Sequence, residues 1–116
     1  MRARLDGGKL VDAQEIFLGR PATTSGSRIA FGSDGLLYIT IGAAFGSEAQ
    51  DMGNTVGKVM RVRDDGSIPA DNPFLGKEGV HPAVFTLGHR DPLGLTVHPD
   101  GTVLAAEHGP NGGDEV

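Results

Sequence analysis

Two stretches of this 116-residue chain hold most of the side chains whose types and spacing suit chemistry. The first is Leu87-Gly88-His89-Arg90-Asp91-Pro92-Leu93-Gly94, which sets His, Arg and Asp in a row between Gly and Pro. A guanidinium presents a planar fork of donors, so Arg90 suits bidentate capture of a carboxylate in a way lysine does not. Two readings stand open on the residues: Arg90 clamps an anion, or Arg90 and Asp91 pair across the turn. The second stretch is Glu107-His108-Gly109-Pro110-Asn111-Gly112-Gly113-Asp114-Glu115. Its Gly-Pro-Asn-Gly-Gly run forces irregular backbone whose carbonyls lie outside any ladder. Carbonyls beside carboxylates are what Ca²⁺ takes, in shells of six to eight oxygens. The same composition also reads as a flexible linker or a fraying end.

Elsewhere the chemistry is thin. Asp64-Asp65-Gly66-Ser67 is acidic and reads as a solvated hairpin tip; His98 reads as an exposed tip residue; His81 opens a strand with no partner nearby in sequence. The chain contains no Gly-x-Ser-x-Gly elbow, no His-Glu-x-x-His, no Walker phosphate loop and no complete EF-hand loop. With no Cys, disulfides, thiolate metal sites and cysteine nucleophiles are excluded.

The elements that must position these stretches are strands. Nineteen Gly and seven Pro make up more than a fifth of the chain, against roughly 12% on average. Breakers at that density leave no room for a long helix or a bundle. Asp-Gly recurs at Asp6-Gly7, Asp34-Gly35, Asp65-Gly66 and Asp100-Gly101, in steps of 28, 31 and 35 residues. Asp-Gly between apolar runs is a hairpin signal, because both residues tolerate the positive φ of a tight turn. Strands are expected at 10–17, 28–31, 36–41, 58–62, 83–88, 94–97 and 102–106. Lys58-Val59-Met60-Arg61-Val62-Arg63 alternates, which predicts one wet face. Two prolines between Gly66 and Pro82 predict an unpaired loop, and Ser47–Met52 is the only candidate helical turn. Ile29-Ala30-Phe31-Gly32-Ser33-Asp34-Gly35 also aligns with Leu95-Thr96-Val97-His98-Pro99-Asp100-Gly101 as a weak repeat. Hairpins repeating at this spacing read as sandwich, barrel or propeller, and the repeat favours the propeller. Four hairpins supply about eight strands, enough for two four-stranded blades.

Charge and hydropathy bound the partners. A formal net charge of −5 with ten scattered Lys and Arg argues against nucleic acid. No run approaches the ~18 apolar residues of a membrane span, and no charged-then-apolar leader opens the chain.

Taken in order, these words resemble the soluble pyrroloquinoline-quinone (PQQ)-dependent sugar dehydrogenases, the glucose, aldose-sugar and sorbosone dehydrogenase family. The matching stretches are Gly26–Phe31, Leu37–Gly42, Ala49–Asp51, Gly57–Val62, Asp65–Pro73, Leu87–Pro92 and Glu107–Glu115. The resemblance implies an all-β, six-bladed propeller of antiparallel four-stranded blades, of which residues 1–116 would be an internal piece of about two. It implies PQQ and Ca²⁺ as cofactors, an aldose sugar as substrate, and export to the periplasm or secretion. In complete members a His takes the proton from the sugar C1 hydroxyl while hydride passes to the quinone. Carried over by position, Arg90, Asp91 and His108 lie at the cofactor. Gly109 and Pro110 offer carbonyls to its calcium, Glu115 matches a second calcium site, and Gln50 matches the substrate side.

Three departures matter. The catalytic His position is Thr24 here, and threonine has no accessible pKa for general-base work near neutrality. The Asn of His-Arg-Asn-Pro is Asp91, which adds a negative charge beside an anionic cofactor. After Thr40-Ile41-Gly42 the family's Asp is replaced in Ala43-Ala44-Phe45. The resulting expectation is a partial or degenerate relative without activity as a single chain. Two alternatives stand beside it: activity regained in a homo-oligomeric propeller, or a calcium-dependent carbohydrate-binding module.

Overall fold

A computed structural model describes residues 1–21, 26–43 and 47–116. Eight strands and one 3-10 turn make up its regular structure. They are β1 (Arg2–Asp6), β2 (Lys9–Gln14), β3 (Ile29–Phe31), β4 (Leu37–Ile41), β5 (Lys58–Val62), β6 (Val84–Leu87), β7 (Pro92–Val97) and β8 (Val103–Glu107), with the turn at Ser47–Gln50. All pairings are antiparallel. The strands divide as a β1-β2 pair, a β3-β4-β5-β6 meander and a β7-β8 pair. The all-β expectation holds, with the eight strands spread over three sheets.

Asp-Gly joins β1 to β2, β3 to β4 and β7 to β8, as its turn chemistry predicts. The third copy behaves differently. Gly66 N–H donates to the Arg63 carbonyl and Arg63 N–H to the Ser67 carbonyl, so the turn closes. No strand follows it, because Pro69 and Pro73 cannot feed a ladder. β5 pairs instead with β6, beyond a loop held by Asn72, whose amide donates to the carbonyls of Arg61 and Pro82, both at 3.0 Å.

The core lies on one face of the meander. Leu37 and Ile39 of β4 stand opposite Val62 and Met60 of β5, and Met60 opposes Val84. These residues and Ala83 are buried, with Ile16, Phe17, Ile68, Phe74 and Val80 packed over them. The expected wet face of β5 is a correction: every residue of the strand is buried. β5 is an interior strand with cover on both sides. Arg61 packs over the Phe85 ring at 5.4 Å and reaches Asp71 at 2.6 Å, while Phe85 meets Tyr38 edge-on. The guanidinium beside Asp71 holds that carboxyl below the usual carboxylate range.

Candidate functional site

The turn between β6 and β7 carries Gly88, His89, Arg90 and Asp91, and it is where separate parts of the chain meet. Arg90 N–H donates to Glu107 Oε2 at 2.8 Å, and one Arg90 guanidinium nitrogen donates to the His108 carbonyl at 2.6 Å. The Arg90 carbonyl accepts from Ala43 N–H at 2.6 Å, and the Asp91 carbonyl from His108 N–H at 3.1 Å. Asp91 Oδ1 accepts from Gly26 N–H at 2.6 Å. Arg90 and Asp91 therefore do not pair with each other. Each faces a different segment, because a turn sends successive side chains in different directions. Thr24, where the resemblance would put a catalytic His, and Ala44 and Phe45 lie outside the described residues, whereas Gly26 and Ala43 beside them are tied to this turn.

Beneath the turn is a chain of polar contacts that sequence spacing does not announce. His89 Nε2 lies 2.7 Å from Thr86 Oγ1, and its Nδ1 pairs with Glu107 Oε1. The two side chains are only 19% and 15% exposed, so this pair is shielded from most solvent competition. Glu107 thus bridges the β6-β7 turn and the end of β8. Both residues sit inside motif words, but no periodicity relates positions 18 apart, one in a turn and one on a strand.

The second motif folds back on β8. Glu107 and Glu115 form a two-way backbone bridge, with N–H to carbonyl distances of 2.9 and 3.1 Å. Asp114 Oδ1 accepts from Gly109 N–H at 2.8 Å and lies 3.3 Å from His108 Nδ1. Gly109 is buried here, and a side chain at this position would collide with the Gly112 carbonyl and stand 2.8 Å from the Gly113 carbonyl. Only glycine permits that approach. This segment is a closed loop rather than a frayed end.

Arg90, His108, Gly109, Pro110 and Glu115 line one recess of about 120 Å³, together with Gly88 and Glu107. Pockets for cofactor-sized ligands run from about 300 to 1,000 Å³. The recess therefore matches a carboxylate or a few waters, not a whole tricyclic quinone. Arg90 retains N–H donors beyond the one given to His108, which fits a carboxylate arm of PQQ. Calcium fits less well. Among the described residues no three His, Cys, Asp or Glu side chains converge on a metal position. The loop offers calcium the right atom type, backbone oxygen, so a site here would rest on carbonyls and not on a carboxylate cluster. Gln50 ends the 3-10 turn with its amide nitrogen over Gly88, 3.2 Å from where a Cβ would stand. That places it two residues from Arg90, on the rim of the same region.

The remaining candidates stay structural. His98 is exposed beside Asp100 at 3.0 Å, as its tip position predicts. His81 is half-buried, with Nδ1 accepting from Ala83 N–H at 3.2 Å, and burial pulls its pKa below the ordinary value. Asp64 pairs with Arg2 at 3.1 Å at the surface.

Comparison with known proteins bears on the sequence and the fold. The family model described as Glucose / Sorbosone dehydrogenase matches residues 1–116. The chain is 35% identical over 117 residues to the aldose sugar dehydrogenase YliI of Escherichia coli, covering 96% of this chain and 32% of that protein. It is 35% identical over 124 residues to quinoprotein glucose dehydrogenase B of Acinetobacter calcoaceticus, covering 88% and 26%. Among solved structures it superposes on the soluble aldose sugar dehydrogenase of Escherichia coli in the apo-form with a TM-score of 0.86, at 35% identity, over 97% of this chain and 35% of that one. The PQQ-bound aldose sugar dehydrogenase of Streptomyces coelicolor gives 0.78 at 33% identity, over 94% and 32%. The chain thus spans about a third of the length of these relatives.

Proposed function

The chain belongs to the glucose/sorbosone dehydrogenase family, and from that membership we propose that it forms one wall of the cofactor pocket of a PQQ-dependent sugar dehydrogenase, inactive as a single chain. PQQ, when bound, supplies the two-electron acceptor for oxidation of a sugar C1 hydroxyl. In this reading Arg90 holds one of its carboxylates, with its guanidinium anchored through one nitrogen to the His108 carbonyl. The Gly109 and Pro110 carbonyls would hold a calcium ion associated with the cofactor, and Glu115 a second one, where the family resemblance carries over despite the absence of a carboxylate cluster among the described residues; Gln50 would lie toward the sugar. Asp91 is spent on the Gly26 N–H, so it acts as a tether and leaves cofactor binding to its neighbour. The family's base position falls on Thr24, and threonine has no accessible pKa for that role near neutrality.

The observation that carries the reading is the convergence of both motif words, 17 to 18 residues apart in sequence, on the single turn at Arg90. The test supplies the purified chain with PQQ, Ca²⁺, glucose and a redox dye. The expected result is weak PQQ binding that Arg90→Ala abolishes, with no dye reduction. Binding indifferent to Arg90→Ala overturns the reading. Dye reduction would show that a base exists elsewhere; accompanied by a trimeric mass in solution, it would favour a homo-oligomeric propeller. Sugar binding with Ca²⁺ alone, without PQQ, would favour a carbohydrate-binding module.

A further inference from the structure

One buried charge has no place in that pocket. Lys58 opens β5 on the same face as Met60 and Val62, and its side chain is fully buried. An apolar residue would be the simple choice there, because burying an ammonium ion is costly unless it is paired and hydrogen-bonded. Burial accordingly pulls the Lys58 pKa below its ordinary value, with Asp51 and Glu48 acting in the opposite direction. What offsets the cost is a complete set of acceptors. Lys58 Nζ donates to the carbonyls of Val56 at 2.7 Å, Ala49 at 2.9 Å and Glu48 at 3.2 Å. An ammonium has three N–H groups, and these three carbonyls take all of them.

The acceptors belong to irregular backbone that no strand ladder serves. Glu48 and Ala49 lie in the 3-10 turn that ends at Gln50. The turn meets the Arg90 loop through shared bonds: Gly88 N–H donates to both the Ala49 carbonyl at 3.1 Å and the Gly57 carbonyl at 3.2 Å. His89 N–H also donates to Gly57, at 3.2 Å. Arg20 pairs with the Glu48 carboxylate at 3.0 Å on the exposed side of the turn, whereas Lys58 binds the turn's backbone from inside, as a loop-bound metal ion would.

We propose that Lys58 is a positioning residue: its ammonium fixes the Ser47–Gln50 turn against Gly88 and so sets Gln50 beside the Arg90 recess. The consequence for ligand binding rests on the pocket reading above; the consequence for the turn does not.

Amide hydrogen exchange on the full chain tests it with Lys58→Met, which keeps length and removes the charge. The amides of Gly88 and Asp51 should exchange at least tenfold faster, while those of Thr40 and Arg61 inside the meander keep their protection. PQQ affinity should fall about tenfold in the same variant. Unchanged exchange at Gly88 and Asp51 overturns the proposal, as does an equal loss across the meander, which would mean general stabilisation only. If Lys58→Met does not fold, the unmodified protein decides. Amine acylation should then label Lys9 and Lys77 at least a hundredfold faster than Lys58, and NMR should show a slowly exchanging Lys58 ammonium coupled to the Glu48 and Ala49 carbonyl carbons. Equal labelling, or absence of that coupling, overturns it. Absence of PQQ binding to the unaltered chain would sink the pocket reading while leaving the exchange result to judge Lys58.

Discussion

Replacing Glu107 should cost far more than a polar residue at a strand end usually does. Its carboxylate accepts from Arg90 N–H at 2.8 Å and pairs with His89 Nδ1, with both side chains mostly shielded from solvent. Hydrogen bonds to a charged group contribute about 1.5–3 kcal/mol each. In Glu107→Ala the Arg90 N–H and the ring nitrogen both lose their partner, and water can reach this part-buried site to repair some of the loss. We therefore expect a destabilisation of about 2–4 kcal/mol. For a domain of this size, with a urea dependence near 2 kcal/mol per molar, the midpoint should fall by about 1–2 M. Glu107→Gln separates charge from shape. Its carbonyl still serves Arg90, its NH₂ faces Nδ1, and His89 can adopt the tautomer that donates from Nε2 to Thr86, whose hydroxyl accepts as readily as it donates. That variant should lose only about 1 kcal/mol and show the tautomer change in the ring ¹⁵N spectrum. A double-mutant cycle with His89→Ala should give a coupling energy above about 1 kcal/mol. Urea titration of the four proteins of the cycle, with Glu107→Gln beside them, is the assay. A Glu107→Ala midpoint within about 0.25 M of the parent would refute the claim that this carboxylate joins the two motif segments.

Three further outcomes follow from the same geometry. Met60→Ala empties the centre of the only four-stranded sheet among the described residues, where Met60 is wholly buried; it should cost about 2–5 kcal/mol by thermal or urea unfolding. His81 has its folded pKa pulled below 6.5 by burial, so the unfolded chain binds more protons between those two values. Its contribution to stability is complete above pH 6.5 and lost as pH falls through that window; ΔG measured from pH 7 to pH 5 should slope less in His81→Phe. Asp91→Asn keeps an oxygen for the Gly26 N–H and removes a negative charge beside Arg90. Its stability should stay within about 1 kcal/mol of the parent, while PQQ affinity, read by calorimetry, rises.

Much of this architecture was legible before any coordinates. Gly and Pro density, Asp-Gly spacing and alternating apolar runs excluded helices and marked most strands, because backbone φ limits and side-chain period act locally. The motif words identified the family for a similar reason, as they contain the residues themselves. β5 was misread because alternation reports which face a residue occupies, not whether a loop, the Phe85 ring or an ion pair with Asp71 covers that face. The third Asp-Gly turn was recognised as a turn, but its missing partner strand depended on Pro69 and Pro73 downstream.

The site divides along the same line. Sequence supplied Arg90, Asp91, His108, Gly109, Pro110, Glu115 and Gln50 as names, together with Thr24 at the position where the resemblance expects a His. It left open whether Arg90 and Asp91 pair, and whether residues 107–115 fray. Folding settled both by bringing distant groups within hydrogen-bond reach: Arg90 turns to the His108 carbonyl, Asp91 to the Gly26 N–H, and Asp114 closes the loop on Gly109. The roles of Glu107 and Lys58 belong wholly to tertiary structure. A carboxylate serving a ring 18 residues away and an ammonium serving three loop carbonyls have no local pattern. Their partners are chosen by where the chain returns in space, and local sequence rules carry no information about that return.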